Sequence, residues 1–230
     1  MNYAIILSGG VGTRMGANIP KQYLEVNGRP IISYAVEKFL NHELIDAVII
    51  ALNAQWKNYI SSLFFEPSKP IIFTIPGETR EHTIFHALKT VKEIGGNDDD
   101  IVIIHDAVRP LVSNEVITDC INGCAKYDAA IATIDVKDTI YVCADGECIT
   151  DVPNRAQLHA GQTPEAFKLG AYLRIHEQAS YEEICKVTGG AQFAKNKGLK
   201  VFLSKGEERN FKITTPEDLE RFKQIITRNE

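Results

Sequence analysis

Apolar residues gather in five short, nearly uninterrupted runs at 3–7, 47–51, 71–75, 101–105 and 129–134. A strand with one wet face alternates apolar and polar residues, so continuous runs predict strands covered on both faces. Between them, segments near 31–41, 55–65, 80–95 and 113–126 space their apolar positions as amphipathic helices do. The resulting βαβα rhythm predicts a mostly parallel sheet with right-handed crossovers. In open sheets of this kind ligands lie beyond the carboxyl ends of the strands, which makes the residues just after each run the first candidates for chemistry.

The rhythm breaks at about 136–160. Thr139-Ile140-Tyr141-Val142 and Glu147-Cys148-Ile149-Thr150 flank Ala144-Asp145-Gly146, and an Asp-Gly turn between two β-prone runs predicts a hairpin. Such a hairpin cannot bury both of its faces alone, so an arm reaching a second copy of the chain is expected, and with it a homodimer. Helices near 168–178 and 190–197, a strand at 200–203 and a last helix from Pro216 follow. Thr215-Pro216-Glu217-Asp218 opens that helix with a capping Thr, a Pro at the first position and acids in the first turn. The expected architecture is one α/β domain over 1–230, a Rossmann-like, mostly parallel sheet flanked by helices with a protruding β-hairpin arm.

Composition narrows the options. The 230 residues are 44% hydrophobic, enough for one sizeable core, and carry 25 basic against 30 acidic side chains for a net charge of −5. No Lys/Arg-rich block could neutralise a run of polymer phosphates, so no nucleic acid partner is expected. The apolar start at 3–7 is too short to span a bilayer and lacks a signal peptide's basic flank, so a cytoplasmic protein with no membrane partner is expected. Five cysteines are an odd number for a disulfide framework and are read as reduced thiols. Cys120 and Cys124, like His82 and His86, stand four apart on helices, but no further ligands at zinc-like spacing follow, so both pairs are assigned to helix packing and no structural metal is expected.

Chemistry enters after the first strand, where Leu7-Ser8-Gly9-Gly10-Val11-Gly12-Thr13-Arg14-Met15-Gly16 leads to Pro20-Lys21-Gln22. Glycines let backbone amides approach an anion closely. The segment has no Gly-Lys-Ser/Thr ending for a P-loop, and Met15 stands where a dinucleotide fingerprint needs its third glycine. Arg14 and Lys21 supply cations, and a triphosphate is the natural guest.

With these residues the sequence resembles the CTP-dependent cytidylyltransferases, the family of the 2-C-methyl-D-erythritol 4-phosphate and ribitol-5-phosphate enzymes, along nearly the whole chain. The resemblance extends to Gly77-Glu78-Thr79-Arg80-Glu81-His82-Thr83, which is similar to the family's cytosine-recognition segment, and to His105-Asp106-Ala107-Val108-Arg109-Pro110. It implies that Leu7, Ser8, Gly9, Gly10, Gly12, Thr13, Arg14, Lys21, Gly77, Arg80, Thr83 and Asp106 bind CTP. It further implies that Asp106 holds Mg²⁺ or another divalent cation. Asp106, Arg109, Thr139, Arg155, Thr163, Thr188, Lys212 and Thr214 would receive the acceptor phosphate, with Arg109 often acting across a subunit boundary. Arg14, Lys21, Arg155 and Lys212 would be the catalytic cations. Thr188-Gly189-Gly190 departs from the methylerythritol pattern, in which two acids follow the Thr, and implies a differently shaped acceptor pocket.

Ser8-Gly9-Gly10, Val108 and the stretch from Ile149 to Arg155 resemble the ribitol-5-phosphate branch, so D-ribitol 5-phosphate is the expected acceptor of cell wall or capsule synthesis. Methylerythritol phosphate, of isoprenoid synthesis, is the alternative. Two rivals from other classes are a sugar-1-phosphate uridylyl- or guanylyltransferase and a nucleotide-binding protein without catalysis. The first is disfavoured by the His105–Pro110 sequence. The second has no need of transition-state cations.

Overall fold

A computed structural model describes residues 1–10 and 19–228. Seven strands form one sheet in the order β5-β4-β1-β6-β8-β7-β9. These are β1 (Asn2–Leu7), β4 (Ala47–Ala51), β5 (Ile71–Thr74), β6 (Ile101–Asp106), β7 (Ala129–Asp135), β8 (His159–Lys168) and β9 (Val201–Lys205). β1 pairs in parallel with β4 and β6, β4 with β5, and β7 with β9, whereas β8 runs antiparallel to both β6 and β7. The mostly parallel sheet expected from the uninterrupted apolar runs is present.

Both faces are covered. Against one lie α1 (Ile31–Leu40) and α4 (Asn114–Lys126), joining Val36, Phe39, Ile117 and Cys120 to Ile6, Ile50 and Ile103. Against the other lie α3 (Arg80–Glu93), α5 (Leu169–Gln178) and α7 (Gly190–Asn196), joining Leu88, Tyr172 and Phe193 to Ile5, Ile49 and Ile104. Double coverage is the reason these strands carry no polar alternation. Cys120 and Cys124 are buried in this packing, with Cys120 Sγ facing the carbonyls of Ala130 and Pro164.

The sequence reading omits three elements. A short antiparallel pair, β2 (Glu25–Val26) and β3 (Arg29–Pro30), turns through Asn27 and Gly28, both at positive φ. A helix, α6 (Tyr181–Lys186), is opened by a Ser180–Glu183 capping box. The third element, β8, lies deep in the sheet, but its buried stretch contains Gln162, Thr163 and Glu165 and lacks an apolar run. Its Pro164 falls where the β7 register shifts, Ile131 pairing with Glu165 and Thr133 with Gly161, so its missing N–H costs no ladder bond.

The arm is present with a shorter ladder than its two β-prone runs imply. Its pairing is one bridge, Val142 to Asp151, with Thr150 donating to Val142. Asp145 Oδ1 accepts from the amides of Glu147 and Cys148 and organises the tip, while Gly146 takes a positive φ. Local turn bonds thus displace a longer ladder.

A third cluster, Val26, Ile31, Val108, Leu111, Ile213 and Phe222, anchors α8 (Pro216–Thr227) and the segment before it to the ligand-side edge. Phe222 is fully buried and meets Tyr34 edge-on at 5.2 Å. Phe222→Ala is expected to cost about 3–5 kcal/mol in urea denaturation, with faster amide exchange through 210–216 than in the central strands.

Candidate active site

The carboxyl ends of β1 and β6 open into a cavity of about 370 Å³ lined by Leu7, Gly9, Gly10, Lys21, Gln22, Gly77, Glu78, Thr79, Arg80, Thr83, Asp106, Val108 and Lys212. Three chain segments meet here because adjacent parallel strands end on the same side. The turn leaving β1 is held by Gln22, whose Nε2 donates to the carbonyls of Ser8 at 2.9 Å and Gly10 at 2.7 Å. A Cβ on Gly9 would stand 2.4 Å from that of Pro76, so only glycine allows this approach. Lys21 sits on a single 3₁₀ turn, Lys21–Tyr23, and its Nζ donates to the carbonyl of Ile213 at 2.8 Å, joining the loop region to the segment that carries Lys212. Gly12, Thr13 and Arg14 lie outside the described residues.

The 77–83 segment is a helix opening. Thr79 caps α3 by accepting from the His82 amide. The Thr83 hydroxyl accepts from the Gly77 N–H at 2.9 Å and donates to the Thr79 carbonyl at 2.9 Å. The hydroxyl read from sequence as a base contact therefore shapes the turn that presents Gly77, Glu78 and Thr79 to the cavity.

Asp106 ends β6 and is 8% exposed. Its Oδ2 lies 3.0 Å from Lys212 Nζ and 3.5 Å from Arg109 Nε. Burial works to raise the pKa of this carboxyl, but Lys212, Arg80 and Arg109 outweigh it and hold the group well below the usual carboxylate range. Beneath it, Thr163 Oγ1 accepts from the Asp106 amide at 3.1 Å and donates to His105 Nδ1 at 3.1 Å, while His105 Nε2–H donates to the Arg109 carbonyl. Burial lowers the His105 pKa to about 4, so the ring is neutral and its two nitrogens serve as one donor and one acceptor.

The acceptor set from the sequence divides. Asp106 and Lys212 line the cavity. Arg109 turns inward, donating through Nη1 to the Asn210 carbonyl at 2.6 Å. Thr163 is buried beneath the cavity, and Thr214 donates to Asp218 Oδ2 at 2.7 Å within the cap of α8. Thr188 is exposed and donates to Gln192 Oε1. Thr139 and Arg155 stand on the exposed arm, where Arg155 Nη1 donates to the Lys137 carbonyl and lines a separate hollow with Asp135, Val136 and Asn154.

Four polar residues escape the sequence reading. Gln22 and Asn210 fix backbone, Asn210 Nδ2 donating to the Thr163 carbonyl at 2.7 Å. Gln22 stands inside a motif quoted above, which was the available signal. Glu81 and Glu165 are nearly fully buried and flank Arg80, at 2.9 and 2.6 Å. A buried acid leaves no mark in a pattern of apolar positions.

Among the described residues no group of three or more His, Cys, Asp or Glu side chains could hold a metal unaided. One ionised carboxylate facing a phosphate-sized cavity suits Mg²⁺, which commonly takes one or two carboxylates and completes its shell with substrate phosphates and water. Also among the described residues, no helix is long and apolar enough to cross a membrane.

Comparison with known proteins agrees with this geometry. Residues 2–228 match the family model described as IspD, 2-C-methyl-D-erythritol 4-phosphate cytidylyltransferase. The chain is 36% identical to a ribitol-5-phosphate cytidylyltransferase of Streptococcus pneumoniae, with 100% of both chains covered. Among solved structures, the 4-diphosphocytidyl-2C-methyl-D-erythritol synthase of Anaerococcus prevotii aligns with a TM-score of 0.84 at 27% identity, over 98% of this chain and 96% of that one. The 2-C-methyl-D-erythritol 4-phosphate cytidylyltransferase of Francisella tularensis aligns with a TM-score of 0.81 at 28% identity, over 97% and 98%. With the match running from the first strand to the last helix and the cavity standing at the motifs that define the resemblance, the chain belongs to the IspD family of CTP-dependent cytidylyltransferases.

Proposed function

We propose that this enzyme transfers CMP from CTP to D-ribitol 5-phosphate in the cytoplasm, giving CDP-ribitol and pyrophosphate. The observation that carries the acceptor is the full-length 36% identity to a ribitol-5-phosphate enzyme, against 27% and 28% to the two methylerythritol enzymes of known structure. Methylerythritol phosphate is the second reading, favoured by the description of the family model.

An acceptor phosphate monoester has a second pKa near 6, so it reaches the site already a dianion and needs no general base. Its oxygen bonds to the α-phosphorus of CTP as the bond to the bridging oxygen breaks, and that electron pair leaves with pyrophosphate. The obstacle is repulsion between two anions and the charge that builds on the α-phosphate. Lys21 and Arg14 stabilise that charge and the leaving pyrophosphate. Lys212, held by Asp106 at the cavity edge, orients the attacking phosphate in line together with Arg155. Asp106 would hold Mg²⁺, which when bound neutralises the CTP phosphates that this carboxylate would otherwise repel.

Thr139 and Arg155 stand on the arm, away from the cavity lining. The arm exposes Ile140, Tyr141, Val142, Ile149 and Val152, each at least 40% accessible, more apolar surface than an isolated two-stranded ribbon leaves in water. A homodimer in which each arm covers its partner's site accounts for both facts, and Thr139 and Arg155 then reach the acceptor bound to the other subunit.

Pyrophosphate release from CTP with a panel of polyol phosphates tests the proposal, ribitol 5-phosphate being expected to give the highest kcat/KM. Lys21→Ala is expected to lower kcat about 10²- to 10³-fold while weakening CTP binding far less, as compared by turnover assay and calorimetry. Because Asp106 stays ionised at every working pH, kcat/KM for the acceptor should fall only as the substrate dianion is lost, about tenfold per unit below about pH 6. A pH profile with an additional acid limb between 6 and 8 would count against a base-free attack.

A further inference from the structure

Arg80 lines the cavity, yet both terminal nitrogens of its guanidinium are engaged from behind. Nη1 donates to Glu81 Oε1 at 2.9 Å and Nη2 to Glu165 Oε2 at 2.6 Å. The two carboxylates are 2% and 3% exposed, so water screens neither pair strongly. Glu81 is held in turn by the Tyr172 hydroxyl, which donates to its Oε2 at 3.1 Å. Glu165 has a second attachment of another kind: its Oε1 accepts from the Ala191 amide at 2.8 Å, in the first turn of α7. That backbone approaches closely enough that a Cβ on Gly190 would stand 2.6 Å from the Tyr172 hydroxyl and 3.2 Å from Glu165 Oε2.

One side chain on β8 thus grips two segments that the sequence sets far apart. On one side is Gly77–Arg80, which forms a wall of the cavity. On the other is the stretch after Thr188, which leads into α7. Neither segment is a sheet strand; the first is also tied by the Tyr181 hydroxyl to Glu78, and the second by Phe193 packing on His176. The two buried carboxylates each take an N–H from one of Arg80's terminal nitrogens and so fix the plane of the guanidinium from behind. A guanidinium so committed serves as a fixed strut more readily than as a mobile phosphate ligand.

We propose that Glu165 is a positioning residue for cytidylyl transfer: by holding Arg80 and the start of α7 together, it makes the nucleotide wall and the neighbouring 188–191 segment one rigid unit. The proposal rests on the cytidylyltransferase reading above. Glu165→Gln keeps size and shape, but its amide NH₂ must face either the Arg80 guanidinium or the Ala191 N–H, donor against donor, so one of the two links breaks. Glu165→Asp keeps the buried charge and shortens the reach, and it serves if the Gln variant does not fold.

Wild type, Glu165→Gln, Glu165→Asp, Arg80→Ala and the Arg80→Ala/Glu165→Gln double variant would be compared by pyrophosphate release with CTP and ribitol 5-phosphate. CTP affinity would be measured in parallel by calorimetry, and heat denaturation would show which variants are folded at the assay temperature. Misplacing a wall of the site predicts a loss in kcat/KM for CTP on the order of ten- to a hundredfold in either Glu165 variant. No further loss is expected when Glu165→Gln is added to Arg80→Ala, because the carboxylate acts on the nucleotide through that arginine. Wild-type kinetics in a folded Glu165 variant, or losses that multiply in the double variant, would overturn the proposal while leaving the reaction class intact. A wild-type enzyme that neither binds nor turns over CTP would remove the reaction class, and this inference with it.

Discussion

The ligand-side edge depends on one ionised carboxylate kept out of water. Lys212, Arg109 and Arg80 would repel one another if brought together without it, and Asp106 could not remain charged at 8% exposure without them. The cluster joins the end of β6 to the start of α3 and to the segment before α8, which have no covalent proximity. Among the described residues, the carboxylate of Asp106 is matched by Lys212, Arg109 and Arg80 at the cavity edge.

Below that cluster lies a buried layer of hydrogen bonds. His105, kept neutral by burial, receives a proton bond from Thr163 and gives one to the Arg109 carbonyl, and Asn210 secures the Thr163 carbonyl. These bonds fix the direction of the Asp106 backbone, and through it the position of the carboxylate. Buried polar groups of this sort hold the groups that line a site still.

The covered strands were legible because double burial removes the alternation that marks a half-wet strand, and their mostly parallel pairing followed from the helices between them. Asp106, Lys21 and Lys212 were legible as a set, since each stands in a motif at a strand or segment end. β8 was not, because its buried positions are filled by Gln162, Thr163 and Glu165, whose polar groups are satisfied inside the fold and so look, in one dimension, like a loop. The capping roles of Thr83 and Thr214 were hidden for a related reason: a hydroxyl beside a ligand motif and a hydroxyl tying a helix end present the same letter. The arm was visible as a turn between β-prone runs, but the preference of Asp145 for its own neighbours' amides left only one ladder bridge.

The reversed direction of β8 has an effect on how such an enzyme can change. A parallel strand must be reached by a crossover from the far side of the sheet, whereas β7 ends and β8 begins on the ligand side. The arm between them therefore leaves and re-enters the body at adjacent points, like a loop pulled from a knitted hem. Residues can be gained or lost there without disturbing any crossover helix, so the arm is free to diverge while the strands and helices around the cavity stay as they are.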